Sequence, residues 1–181
     1  VALSATVTNA AEIAGWLNAN LVTSTWRPIP LWEGVYLEQE IKFKNHPIRL
    51  VTEDREDALI NLTLDTLKSG GQALVFVNSR RSAQAASRQI SKAVGAILTD
   101  EEKSRLSQLA DEIIGPPVDS TKICRKLGEA VARGVAFHQA GLKASQRKLI
   151  EDNFRGNLIK VICSTPTLAA AKSAAHRPRL R

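Results

Sequence analysis

The chain contains no methionine and begins at Val1, so it lacks a translational start of its own and reads as a piece of something longer. Its two cysteines, Cys124 and Cys163, lie far apart with no other Cys or His at ligand spacing. That pattern argues against a zinc site and a disulfide framework, and it fits a reducing, cytoplasmic setting. No apolar run approaches the roughly 18 residues of a membrane helix, and the N-terminus lacks a signal-peptide layout. Several chemistries are missing as well. There is no GxxxxGK(S/T) phosphate loop, no GxGxxG turn, no pair of acids closing a strand to hold Mg²⁺, and no HExxH. Alone, the chain does not encode the parts for nucleotide hydrolysis.

What is present suffices for one α/β domain with some flanking material: 181 residues, 44% of them hydrophobic. The net charge of +7 invites a nucleic-acid partner, but its distribution weakens that inference. From Ala171 to Arg181 come Lys172, Arg177, Arg179 and Arg181 with no acid, which leaves 21 basic against 18 acidic residues upstream. This tail has neither apolar period nor cap, and it reads as disordered and foreign to the fold.

Between the ends, short β-branched runs alternate with helical periods, which predicts a mostly parallel sheet covered by helices. A first helix starts near Thr8 or Asn9, with Glu12 in its first turn and Ile13 and Leu17 on one face. Residues 26–50, with three prolines and several aromatics, read as an extended linker with edge strands, because proline cannot sit inside a central ladder. "DREDALINLTLDTLKSGG" reads as a helix with an acidic first turn, apolar Leu59, Leu62 and Leu67, and a Gly70-Gly71 stop. "QALVFVNSRRSAQAASRQISKAVGAI" reads as a buried strand running into a helix whose Ala83, Ala86, Ile90 and Val94 face the core and whose Arg81, Arg88 and Lys92 do not. A helical pair around Gly-Pro-Pro, a strand "VAFH", a helix with Ile150 and Phe154 that stops at Gly156, and a last strand "LIKVICS" complete the pattern.

Open parallel sheets bind ligands beyond the carboxyl ends of their strands, so the three strand-to-helix junctions are the candidate sites. At the first, Asn78 ends the strand and Ser79 opens the helix, with Arg80 and Arg81 alongside. Free amides at a helix N-terminus seat phosphate well, and a plain cap beside two solvated arginines explains the same residues. At the second, His138 precedes Gly141, whose missing side chain allows a sharp turn or a close approach to a ligand. No Ser, Cys or carboxylate is spaced to make His138 a base, so a structural or backbone-contacting role is favoured there over catalysis. At the third, Thr165 stands where an N-cap would, Pro166 suits the first helical turn, and Thr167 lies beside the free amides.

Taken in order, "LSAT" (3–6), "LVFVNSRRSA" (74–83), "GVAFHQAGL" (134–142) and "STPTLAA" (164–170) resemble the superkiller-like branch of superfamily-two helicases. Within it the likeness is to the archaeal fork-associated DNA repair helicases, relatives of the helicase region of polymerase theta. The resemblance implies a RecA-like α/β fold, a mostly parallel sheet with helices on both faces. It makes Ser4, Ala5 and Thr6 the coupling motif that ends a first RecA-like lobe, with no catalytic residue and no metal ligand in the chain. Asn78, Ser79, Arg80, Arg81, His138, Gly141, Thr165 and Thr167 would hold the backbone of the tracked strand in the second lobe.

On that basis the chain divides into the end of lobe one (1–25), an inter-lobe linker (26–50), lobe two cut within its Thr-Pro-Thr motif (51–170), and the tail (171–181). The family continues that motif differently from Ala171-Lys172-Ser173, and its arginine-finger motif does not arrive. The resemblance implies ATP and Mg²⁺ in the parent enzyme, none bound to this chain, and single-stranded or forked DNA and the first lobe as partners. It also implies a cytoplasmic, nucleoid-associated setting. An RNA helicase of the same branch is the first alternative. A non-enzymatic α/β interaction or receiver domain would want an acidic pocket at a strand end, where Ser, Thr, Asn and His stand instead. A dinucleotide or methyl-donor enzyme would want a glycine-rich turn.

Overall fold

Strands 34–50 are joined by links too short for anything but hairpins, whereas those between 73 and 164 are joined by helices, which permits parallel pairing. The structure, a computed structural model, describes residues 9–24, 26–52, 56–118 and 120–166. Along them run α1 (Ala10–Trp16), β1 (Gly34–Leu37), β2 (Glu40–Phe43), β3 (Arg49–Leu50), α2 (Ala58–Lys68), β4 (Ala73–Phe76), α3 (Arg80–Gly95), α4 (Asp100–Ile114), α5 (Lys122–Val131), β5 (Val135–His138), α6 (Ala144–Arg155) and β6 (Val161–Ser164). Strands β4, β6 and β5 form a parallel sheet in that order, the α/β arrangement expected of a RecA-like lobe. Ser4, Ala5, Thr6, Thr167 and the tail 171–181 lie outside the described residues.

The core follows the helical period of α3. Ala83, Ile90 and Val94 are fully buried and Ala86 nearly so, while Arg81, Arg88 and Lys92 are exposed. α3 and α5 pack on β5, with Phe137, Leu127, Val131 and Leu106 among the side chains that exclude water there. Gly115 closes α4 with a φ of 67°, a conformation that L side chains resist, which makes the expected break before α5. Within α5, a Cβ on Gly128 would lie 2.5 Å from Ile114, so the absent side chain lets α4 and α5 approach closely.

Register fixes the two faces of the parallel sheet. Phe76, Ser164 and His138 stand in one row across it, and His138 reaches α6 through Glu151, so this row faces α6. The two crossovers, β4 to β5 and β5 to β6, run in opposite directions across the sheet, and right-handedness puts their helices on opposite faces. Among the described residues strand β4, expected to be buried, is an edge strand. Leu74 is 44% and Phe76 46% exposed, and α6 packs on β5, two strands away from β4.

Two smaller expectations shift. The acidic residues before α2 do not form its first turn. The helix starts at Ala58, and the Asp57 carboxylate accepts from the Leu59 and Ile60 N–H groups as its cap. Leu64 is the fully buried leucine of α2, with Leu59 and Leu67 partly buried beside the core. Residues 34–50 form an antiparallel sheet in the order β1-β2-β3, held to α2 by an Arg49–Asp65 ion pair and by the Asn61 amide donating to Tyr36 Oη at 3.4 Å. α1 has Asn9 at its cap position without a side-chain bond to the backbone, and none of its residues is buried. Both cysteines are free and buried, and burial pushes the Cys163 thiol up to about 12.

At the amino end of β6, Lys160 pairs with Glu102 at 2.7 Å, and Glu102 also closes a capping box on Thr99 at the start of α4. The Lys160 bond, then the Thr99 N–H, hold the Glu102 carboxyl below its usual range. A depressed carboxylate stabilises the fold above its unfolded pKa, and the contribution disappears as pH falls through the folded value. Glu102→Gln should therefore lower stability by about 1 kcal/mol at pH 7 in urea melts. The difference between wild type and variant should shrink as pH falls below about 4.

Candidate nucleic-acid interface

All three candidate junctions open at the same edge of the parallel sheet, because parallel strands end together. The strand order puts the third junction between the other two. Thr165 follows the middle strand β6, Asn78 follows β4 on one side, and Gln139 follows β5 on the other. Neighbouring strands lie about 4.8 Å apart, so the three openings fall within roughly 10 Å of one another. Main-chain bonds fix the arrangement: the Val77 N–H donates to the Ser164 carbonyl at 2.9 Å, and His138 pairs with Ser164 in the ladder.

At the first junction Ser79 is the N-cap of α3, its hydroxyl accepting from the Ser82 N–H at 3.0 Å and lying 2.7 Å from Ser82 Oγ. The cap reading is thus realised. The residue is still exposed, and Ser82 Oγ in turn reaches Asn78 Oδ1 at 3.4 Å. Arg80 and Arg81 are exposed and make no ion pair or hydrogen bond among the described residues. Two cations in the first turn run against the helix dipole, which favours anions there and disfavours them by about 0.3–1 kcal/mol each. Dipole, open amides and guanidinium groups add to a positive field that an external anion would satisfy.

The second junction combines a buried wall with an open lip. His138 is largely buried, its Nε2 lying 3.2 Å from Glu151 Oε1 on α6, so its ring serves the sheet-to-helix contact and leaves the backbone beyond it to face outward. Gly141 is exposed, but its φ is not left-handed, and a Cβ there would meet only Gln139 Nε2 at 3.8 Å. Neither backbone conformation nor packing within the chain therefore requires glycine here. Gln139 is 4% exposed and accepts from Gln84 Nε2 of α3 at 3.4 Å, linking the first two junctions.

Two cations here were not singled out from the sequence. Lys143 stands exposed at the N-cap of α6, and Arg147 reaches over the loop to the Ala140 carbonyl at 3.5 Å. Their signal was present in "GLKASQR": a lysine opening a helix, again against the dipole. Gln146 holds that helix start in place, its Oε1 accepting from the Lys143 N–H at 3.1 Å and its Nε2 donating to the Ile113 carbonyl at 2.9 Å. At the third junction Thr165 is partly exposed and Pro166 exposed. Thr167, the other half of that motif, falls outside the described residues.

A parallel α/β sheet with basic, amide-rich loops gathered at its carboxyl edge is the layout of a RecA-like lobe from a superfamily-two helicase. No family model matches the chain. Relatives match it closely. It is 43% identical over 168 residues to the ATP-dependent DNA helicase Hel308 of Methanocaldococcus jannaschii, covering 93% of this chain and 14% of that protein. It is 44% identical over 170 residues to the Hel308 of Methanocella arvoryzae, covering 94% of this chain and 23% of that protein. Against the Hel308 of Pyrobaculum calidifontis the identity is 46% over 171 residues, with 94% and 23% covered. The chain belongs to the superfamily-two helicases as a segment homologous to these Hel308 proteins, and it spans less than a quarter of their length.

Separate variants isolate cap and cation. Ser79→Ala should cost about 1 kcal/mol of stability in urea unfolding. Arg80→Ala, which removes a cation from an exposed helix start, should leave stability within about 0.5 kcal/mol of wild type.

Proposed function

We propose that this chain supplies the backbone grip of the second RecA-like lobe in an ATP-dependent DNA helicase that acts on single-stranded or forked DNA. The observation that carries the proposal is the convergence of three strand-end junctions, with Arg80, Arg81, Lys143 and Arg147 around two of them, at one sheet edge. Ser79, Arg80, Thr165 and Thr167 would meet phosphate oxygens, with Asn78, Arg81, His138 and Gly141 shaping the approach. Because such contacts are to the backbone, recognition would be largely indifferent to base identity.

ATP and Mg²⁺ would be held by the rest of the intact enzyme, since this sequence carries no phosphate loop. Nucleotide turnover would supply the work of opening and closing the cleft between lobes, and Ser4, Ala5 and Thr6 would couple it to the first lobe. The exposed apolar residues Ile13, Trp16 and Leu17 on and beside α1 suit burial against the remainder of that first lobe. A further right-handed crossover from β6 to a strand beyond β4 would lay its helix over Leu74 and Phe76, which supports a longer parent lobe. The setting would be cytoplasmic and nucleoid-associated. No helix among the described residues is long and apolar enough to cross a membrane.

RNA is the second reading, since backbone contacts hardly separate the two nucleic acids. Competition between matched DNA and RNA oligomers on the intact enzyme distinguishes them. For the 181-residue chain itself, fluorescein-labelled oligothymidylate should bind weakly in anisotropy titrations, with affinity falling steeply with salt. Arg80→Ala and removal of 171–181 should each reduce binding, and the log–log salt slope should flatten by about 0.7 for every phosphate no longer neutralised. An effect of the tail deletion alone would refute the grip. The pure chain should show no ATPase activity, and DNA-stimulated turnover would contradict that expectation.

A further inference from the structure

The geometry points to Ser164 as a positioning residue that locks the three junctions into one surface. It sits at the end of the middle strand and is 2% exposed. Its main-chain carbonyl accepts from the Val77 N–H at 2.9 Å, the last bond before the Asn78–Arg81 opening. On the other side its hydroxyl donates to the His138 carbonyl at 3.0 Å, the last polar group before the Gln139–Leu142 loop. The same hydroxyl lies 3.1 Å from the Thr165 carbonyl, within the third junction itself. One buried residue therefore touches the root of every candidate loop.

The hydroxyl has a task that the ladder alone does not perform. Ladder bonds hold strands side by side, but the residues beyond the last rung are free to splay. A proton shared between the His138 and Thr165 carbonyls draws two adjacent strand ends together where both turn outward. Gln84 to Gln139 adds a second tie between α3 and the same loop. If the loops grip one phosphate backbone together, their relative spacing sets how many phosphates are met at once. Ser164 then governs affinity without touching nucleic acid. This inference rests on the grip reading, so its test has an arm that does not.

The experiment compares Ser164→Ala and Ser164→Thr with wild type in the 181-residue chain, by amide hydrogen exchange and by oligothymidylate anisotropy. Loss of the hydroxyl should raise exchange at 139–142 while α4 and α5 amides keep their protection. It should also weaken oligothymidylate binding about fivefold, the worth of one hydrogen bond. Threonine, which keeps the hydroxyl, should restore both. Unchanged exchange at 139–142 in the alanine variant overturns the inference, as does a rise spread evenly through the core, which would mark a plain stability effect. Raised local exchange with unaltered affinity, while Arg80→Ala still weakens binding, overturns the link from loop spacing to grip. If Arg80→Ala has no effect either, the grip reading itself fails, and the exchange arm alone decides whether Ser164 positions the loops.

Discussion

Parallel pairing of β4, β6 and β5 is the constraint on which the rest of this structure depends. Parallel strands need crossovers, crossovers bring helices, and each helix starts where a strand has just ended. The carboxyl edge therefore collects helix N-termini whatever the loops contain. The middle position of β6 means that the last described strand in chain order completes an edge begun about ninety residues earlier at β4. A site made this way needs no cavity. It is a row of loops with open amides, suited to an extended, charged ligand lying across them.

Around that edge, polar side chains are used in two ways. Buried ones make structural ties: Gln146 joins α6 to the end of α4, Gln139 joins β5 to α3, and Ser164 spans the strand ends. Exposed ones, Arg80, Arg81 and Lys143, sit at helix starts where their charge is locally unfavourable. Rigid backing with a strained electrostatic surface is what a site for an external anion requires, because the ties hold the amides still while the cations supply attraction. His138 belongs to the first group. Its contact with Glu151 puts the ring into the sheet-to-helix packing, and the backbone after it, not the imidazole, is what the edge displays.

The opposite end is built differently. There the Lys160–Glu102 pair, joined to the Thr99 cap, pins the start of α4 to the foot of β6. Both ends of β6 are thus anchored by side-chain bonds, one ionic and one neutral.

The amino-acid pattern by itself determined the α/β class, the order of helices and strands, the buried face of α3 from Ala83 to Val94, and the three junction motifs. Each of these is local: a period, a cap, or a turn can be read from neighbours in the chain. The cap at Ser79 was legible for the same reason. Tertiary structure alone decided that, among the described residues, β4 stands at the sheet edge with Leu74 and Phe76 uncovered, since its sequence is as apolar as that of a central strand. It also decided that residues 34–50 fold onto α2 and that Lys143 and Arg147 share an edge with Arg80. Ser164 falls in the same group: nothing in "VICS" shows that one hydroxyl will meet a carbonyl 26 residues away. Such facts depend on which strand lies beside which, and long-range pairing is set by crossover handedness and packing rather than by any local run of residues.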